Sequence, residues 1–232
     1  MNFRNDLVPA TLVKRYKRFL ADVILDTGEQ TTVYCPNTGS MKSCSRTGSR
    51  VYLSRSERPG RKYPMTLEIV ESDGTWVGVN TGLANGIVAE AIEAGIVAEI
   101  GDFEILHREV KVSQSSRLDL LVEGRRGKTY IEVKNCTLVE GGVAMFPDAV
   151  TARGTKHLLE LVELRRQGHR AVIFYLVQRG DGRLFRPAAL IDPRYAETLS
   201  KAVSEGVEML AYAATISPAG IRLSSSLPCD LG

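Results

Sequence analysis

Leu118-Asp119-Leu120-Leu121-Val122, then Glu123-Gly124-Arg125-Arg126-Gly127, then Thr129-Tyr130-Ile131-Glu132-Val133-Lys134-Asn135: these pieces decide the fold of the second half of the chain. The outer two are β-prone and the middle one is a turn, so together they read as a β-hairpin. Side chains two apart on a strand share a face, so Glu132 and Lys134 project together. Asp119, on the preceding strand, can lie beside Glu132. Two carboxylates and one ammonium then meet on one sheet face, flanked by Leu118, Leu120, Ile131 and Val133. Charges among such neighbours are costly to bury unless paired or used with a metal. Hard divalent cations such as Mg²⁺ (or Mn²⁺) take carboxylate oxygens together with substrate phosphate oxygens. A lysine beside them can hold or deprotonate an attacking water, or offset negative charge on a transferring phosphate. Asp119, Glu132 and Lys134 are the candidate catalytic residues, with Asp119 and Glu132 as metal ligands and Lys134 beside a cleft.

Outward from the hairpin, helices alternate with strands. Upstream come a helix at Gly86–Ala94 and a strand at Ile105–Val112. Downstream, Leu158, Leu161, Val162 and Arg165 recur at helical spacing, which predicts a helix over Ala149–Arg166 that stops at Gly168. Ala171–Val177 (AVIFYLV) is a continuous apolar run, as expected of a strand covered on both faces. A helix at Tyr195–Ser204 and a strand at Glu208–Ile216 complete the order α-β-β-β-α-β, then α-β. A D-x(12)-E-x-K pattern on a hairpin within that order resembles the PD-(D/E)xK nuclease superfamily, although Leu118 replaces the proline that often precedes the first aspartate. Arg153 and His157 are i,i+4 neighbours on the following helix. In RecB-like members such a polar pair supports the active site, which makes these two candidate supporting residues. The alternative is a solvated helix start with Asp148 as its cap. Asn80, Asn85 and Glu90 lie around the start of the first helix, and Glu90 is a remote candidate for a third carboxylate. Gln178 follows the apolar strand and can reach the site from its end. His107 and His169 read as ordinary histidines.

The first 80 residues have a different texture. Arg18–Leu25, Thr31–Tyr34, Arg50–Leu53, Met65–Val70 and Thr75–Val79 read as five short strands with turn residues between them. That suits a five-stranded barrel of the OB type, a fold that often binds oligonucleotides or oligosaccharides. The fold class is therefore α/β (α+β): an OB-type barrel over residues 1–80, then a restriction-endonuclease-like domain over 81–232. Residues 1–80 hold 12 Lys/Arg against 8 Asp/Glu, whereas residues 81–232 hold 18 against 19. Much of the excess lies between Lys42 and Lys62, and Lys42, Arg46, Arg55, Arg58, Arg61 and Lys62 are the candidate nucleic-acid contacts. The alternative is a solvated surface. Cys35-Pro36-Asn37-Thr38-Gly39-Ser40-Met41 reads as an ordered turn, whose amides offer a second way to meet phosphate. Tyr52 and Trp76 can stack bases or pack in a core.

Composition excludes several classes. Hydrophobic residues are 44% and charged residues 25%, near the globular average, which argues against disorder, collagen and coiled coil. No apolar run approaches the ~20 residues of a membrane span, and the first 20 residues lack a leader's apolar stretch. Cys35, Cys44, Cys136 and Cys229 have no zinc-like spacing and read as reduced thiols. A cytoplasmic protein with no membrane partner is expected.

The chain resembles the SfsA (sugar fermentation stimulation protein A) family from end to end. The matching stretches are FLADVILDTG (19–28), VYCPNTGSM (33–41), RKYPMTLE (61–68), VNTGLAN (79–85), SRLD (116–119), YIEVKNCTL (130–138), FPDAVTARGTKHL (146–158), AVIFYLVQR (171–179) and EMLAY (208–212). The resemblance implies an OB domain, a PD-(D/E)xK-like domain, DNA binding with little sequence preference and a regulatory role in sugar (maltose) metabolism. Two function classes follow: a Mg²⁺-dependent phosphodiesterase with the barrel as a nucleic-acid clamp, the choice between DNA and RNA left open, or a non-catalytic DNA-binding regulator that keeps the nuclease fold for grip. An intact Asp119, Glu132 and Lys134 favours the first, and the family resemblance favours the second.

Overall fold

In a computed structural model, residues 1–113, 116–125 and 127–232 are described. Arg126 of the expected hairpin turn lies outside them. Strands β1 (Val8–Tyr16), β2 (Leu20–Leu25), β3 (Gln30–Tyr34), β4 (Arg50–Arg55) and β5 (Met65–Ser72) are ordered β3-β2-β1-β4-β5. β3 then pairs in parallel with β5 at Tyr34↔Thr66, which closes the barrel. Closure removes the free strand edges of an open sheet. Ala10, Leu12, Val23, Val33, Val51, Leu53 and Leu67 fill its interior. The strand β6 (Thr75–Gly78) continues the sheet beyond β5.

The barrel corrects the sequence reading at its start. Its first strand is Val8–Tyr16, ahead of the expected Arg18, and Thr75–Gly78 is an extension outside the closed five. Pro9 near the strand's start and a register slip between Leu12 and Lys14 disturb the alternation there. Lys17 and Arg18 form the turn, both with left-handed backbone (φ 48° and 62°).

A 3-10 turn at Thr81–Leu83 leads into α1 (Ala84–Glu93). Then come β7 (Ile105–Ser113), β8 (Ser116–Gly124), β9 (Gly127–Cys136), β10 (Leu138–Glu140), β11 (Val143–Phe146), α2 (Ala152–Arg166), β12 (Arg170–Val177), β13 (Leu184–Pro187), α3 (Pro193–Ser204), β14 (Glu208–Ser217) and β15 (Gly220–Ser226). The main sheet is ordered β15-β14-β12-β9-β8-β7, with β12 parallel to both neighbours and the outer pairs antiparallel. β10, β11 and β13 form a small separate sheet.

β12 shows why its sequence is apolar throughout. Val172, Phe174 and Leu176 join the cluster under α1, while Ala171, Ile173, Tyr175 and Val177 join the cluster under α2 and α3. Strand alternation thus delivers one apolar set to each covered face.

Side chains and backbone both tie the barrel to this sheet. Gly78 donates its N–H to the Gln178 carbonyl at 2.9 Å, and Val77 bridges to Arg179. Gly78 has no room for a Cβ against the Gln178 side chain. Gln178 is fully buried at this junction and donates its Nε2 to Asn135 Oδ1. Tyr52 and Trp76 meet edge to face at 5.2 Å and pack against the α1 cluster, so they serve the junction and not a stacking platform.

Asp148 is likewise not the cap of α2. Thr151 is, its hydroxyl oxygen accepting from the Gly154 N–H at 3.1 Å, and the helix begins at Ala152 instead of Ala149. The Asp148 carboxylate instead accepts from the Met41 N–H at 3.0 Å and the Ser40 hydroxyl at 3.3 Å, clamping the barrel loop. Arg15 holds the same loop by donating to the carbonyls of Asn37 and Gly39 at 2.7 and 2.8 Å. The Gly39 N–H goes to Asn37 Oδ1 at 2.8 Å. With the Gly39 and Met41 amides both engaged, the loop reads as a turn and not as a phosphate cradle.

Candidate metal centre and nucleic-acid interface

The β8–β9 ladder runs from Gly124↔Gly127 to Leu120↔Ile131 and pairs no further. One step beyond, the Asp119 carboxylate takes over a backbone role: its Oδ2 accepts from the Val133 N–H at 2.8 Å. Its Oδ1 accepts from Asn85 Nδ2, on α1, at 2.7 Å. Asp119 is half-buried. Burial, followed by the charge of Glu132, pushes its pKa up to about 6 despite these hydrogen bonds. The two carboxylates are therefore within electrostatic reach of each other.

Glu132 is 2% exposed. Its Oε1 accepts from the Lys134 ammonium at 2.6 Å and pairs with His157 Nδ1. Its Oε2 has no hydrogen-bond partner among the described residues. Burial acts to raise the Glu132 pKa, but the His157 hydrogen bond and the Lys134 charge outweigh it and hold the carboxyl below its ordinary value. Arg153 Nε donates to His157 Nε2 at 3.3 Å. That leaves the His157 proton on Nδ1, facing Glu132. The expected Arg153–His157 pair thus lies directly behind Glu132, with Arg153 acting through His157.

Other residues fall away from the centre. Glu90 pairs with the Met1 ammonium at 2.8 Å and makes no contact with Asp119. His107 is exposed near Glu123, and His169 rests on the Tyr130 ring. Lys134 does not stand free beside a cleft: its side chain is 11% exposed and its ammonium is engaged by Glu132.

The basic residues are all exposed, but the structure divides them. Lys42 and Arg46, with Arg50, line a groove of about 640 Å³ that also holds Glu71 and Asp73. Arg55 and Arg58, with Arg4, line a second groove of about 550 Å³ beside Leu83. Arg50 and Arg55 end the same strand, so the grooves stand about 17 Å apart at ~3.3 Å per residue. Arg61 lies over the Tyr34 ring at 5.3 Å and Lys62 over the Tyr63 ring at 5.6 Å. Arg50 is neutralised by a two-pronged pair with Asp26 at 2.6 and 2.7 Å.

Two residues at the centre carried no role in the sequence: Asn85, seen there only as lying at a helix start, and Glu109, to which Asn85 Nδ2 also donates at 3.3 Å. Among the described residues no group of three or more His, Cys, Asp and Glu side chains forms a ready cation cage. No helix among the described residues is long and apolar enough to cross a membrane.

A closed five-stranded barrel followed by a restriction-endonuclease-like sheet domain defines the class of protein. Two family models cover most of the chain: one described as the SfsA N-terminal OB domain matches residues 13–79, and one described as the sugar fermentation stimulation protein RE domain matches residues 82–220. The chain belongs to the SfsA family. A sugar fermentation stimulation protein homolog from Pelobacter propionicus is 58% identical over 225 residues, covering 97% of this chain and 98% of that one. A homolog from Geobacter sulfurreducens is 55% identical over 226 residues, covering 97% of each. The solved structure of Pyrococcus furiosus SfsA in complex with Ca²⁺ superposes with a TM-score of 0.90 at 29% identity, covering 99% of this chain and 98% of that one.

Proposed function

We propose that this chain binds nucleic acid non-sequence-specifically through its barrel and hydrolyses phosphodiesters at a divalent-cation site held by Asp119 and Glu132. One observation carries the reading: Glu132 is buried and its Oε2 has no hydrogen-bond partner among the described residues, while Asp119 is pushed toward neutrality by burial and then by the Glu132 charge. A buried carboxylate oxygen without a donor calls for an explanation, and a cation supplies one. The donor set is all oxygen, which suits Mg²⁺ or Mn²⁺. The Ca²⁺ complex of the Pyrococcus furiosus relative supports a hard cation in this family.

A bound cation of this kind polarises a phosphoryl oxygen and acidifies a water. The chain's own residues do the rest. Asp119 is fixed by Val133 N–H and Asn85. His157, steadied by Arg153, donates to Glu132 and keeps it ionised. Lys134 brings a positive charge to the same carboxylate and serves to hold the attacking water or offset charge on the phosphate. The exposed lysines and arginines of the two barrel grooves bind backbone phosphates, which need not involve any base. The boundary between the grip and the site falls at residues 80–81. The family's link to sugar (maltose) metabolism then runs through nucleic-acid binding.

The test is degradation of labelled single-stranded, duplex and branched DNA, and of RNA, with Mg²⁺ or Mn²⁺ and with chelator. Metal-dependent product, absent in Asp119→Asn and Glu132→Gln, is expected. Binding without product on every substrate would leave a non-catalytic regulator. Cleavage that survives both substitutions would belong to another site or a contaminant.

A further inference from the structure

Glu109 stands opposite Asp119 across the β7–β8 ladder. Arg108 pairs with Leu120 and Val110 with Leu118, which leaves Glu109 on the rung that Asp119 faces. Its left-handed backbone (φ 55°) takes it out of regular strand geometry. Like charges facing each other across adjacent strands repel. The group between them comes from neither strand: Asn85, in the first turn of α1, donates Nδ2 to Asp119 Oδ1 at 2.7 Å and to Glu109 Oε1 at 3.3 Å. Ionised carboxylates only accept, so the amide must turn its NH₂ toward both, and the two acids fix its orientation.

We infer that Asn85 is a positioning residue for the cation site, holding the Asp119 carboxylate in the orientation that a cation shared with Glu132 requires. The inference rests on the proposed reading of Asp119 and Glu132 as ligands. Asp119 has about four lone-pair directions. Asn85 and the Val133 N–H each occupy one, on different oxygens, so each oxygen keeps a direction for a cation. Without Asn85, Oδ1 loses its anchor, and the charge of Glu109 opposite is no longer bridged. α1 packs between the barrel and the sheet, with Ala84, Ile87 and Val88 buried beside Ile69 of β5, so Asn85 is carried on a rigid support.

The experiment is calorimetric titration of the full chain with Mn²⁺ and with Ca²⁺, for wild type, Asn85→Ala and Glu109→Gln, alongside thermal melting of each in chelator. Removing an outer partner of a ligand weakens metal binding by about 10–100-fold, which is the loss expected for Asn85→Ala. Its melting temperature without metal should stay near the wild-type value, because alanine favours the helix. Glu109→Gln keeps the 2.7 Å bond and should bind within about threefold of wild type, well short of that loss. Should Asn85→Ala fail to fold, Asn85→Ser carries the same expectation. Unchanged affinity in the Asn85 variant, with wild type binding, overturns this inference alone. An equal loss in Glu109→Gln overturns it too, by assigning the effect to the Glu109 charge. No binding by wild type overturns the ligand reading and this inference with it.

Discussion

Asp119→Asn probes the electrostatics of the centre without any substrate. The folded chain holds this carboxyl at about 6, against an ordinary value of 3.8, first through burial and then through Glu132. At 1.36 kcal/mol per pH unit the difference corresponds to about 3 kcal/mol. The sign follows from the direction. A carboxyl raised on folding favours the folded state fully below pH 3.8, and that contribution is lost as pH rises through about 6. Above that, ionised Asp119 weighs against folding. Asparagine cannot ionise, yet its Oδ1 can still accept from the Val133 N–H, and the Asn85 amide can flip to accept from the new NH₂ at the cost of its 3.3 Å bond to Glu109. Urea denaturation in chelator should therefore find Asp119→Asn more stable than wild type at pH 8, by up to about 3 kcal/mol, with the advantage shrinking toward pH 4. Mn²⁺ at a thousand times its dissociation constant should reverse the order, since a ligand then adds about 4.1 kcal/mol to the form that binds it, here wild type only. A stability difference that is the same at pH 5 and pH 8 would refute the reasoning, as would a variant less stable than wild type at pH 8 without metal.

Gly39→Ala should cost about 3 kcal/mol, since its Cβ would lie 2.5 Å from Asp148 Oδ1 and drive off a carboxylate that accepts two hydrogen bonds; a denaturation midpoint close to wild type would show that the clamp is slack. Replacing Arg58, Arg61 and Lys62 together by alanine, and separately Lys42 and Arg46, should each lower the salt slope of duplex binding by roughly one unit per lost contact. A set whose removal leaves the slope unchanged is not part of the interface. Lys134→Ala should destabilise the chain by about 3 kcal/mol at neutral pH, because it strips a partner from a buried carboxylate. An unchanged melting temperature would count against the pairing with Glu132. Phe174→Ala, at the centre of β12, should cost about 3–5 kcal/mol by leaving a cavity against Tyr212, and a loss below about 1 kcal/mol would mean that the core closes over it.

Much of the main sheet was legible because its signals are local. The β12 run is apolar without a break, and the β8–β9 hairpin carries its own turn. Glu132 and Lys134 share a face by strand alternation alone, and Arg153 and His157 share one by helical spacing. The barrel's first strand was hidden because Pro9 and the slip between Leu12 and Lys14 disturb the two-residue period. The small sheet was hidden for another reason: β10 and β11 are short, and β13, which pairs with β11, lies beyond α2 and β12. Adjacency in sequence also misled. Residues 42–62 look like one basic stripe, but β4 runs through the middle of it, with Lys42 and Arg46 in one groove, Arg55 and Arg58 in another, and Arg61 and Lys62 over tyrosine rings. Asp148 looked like a helix cap because it stands just ahead of a helix, whereas its partners are more than a hundred residues earlier.

The placement of Asp119 shows why a sequence pattern can name the pair of acids without showing how they are held. The strand ladder ends at Leu120↔Ile131, so the Val133 N–H needs another acceptor, and a carboxylate supplies it. Asp119 therefore serves the backbone in either protonation state. Its ionised form is the one that a cation needs and that folding without a cation disfavours. Glu132 is the complement: three cationic or donor side chains, Lys134, His157 and Arg153 behind it, keep it ionised, while its second oxygen has no hydrogen-bond partner among the described residues. One acid is poised near neutrality and the other is held charged, and the two are coupled. A proton on Asp119 and a cation between the acids are then alternative ways to relieve the same repulsion. This makes metal affinity fall as pH drops through about 6, with proton release on binding growing from near zero well above that pH toward one proton below it. Calorimetric titrations with Mn²⁺ in buffers of different ionisation enthalpy measure that release directly, and binding without proton release at pH 6 would break the coupling on which this account of the site depends.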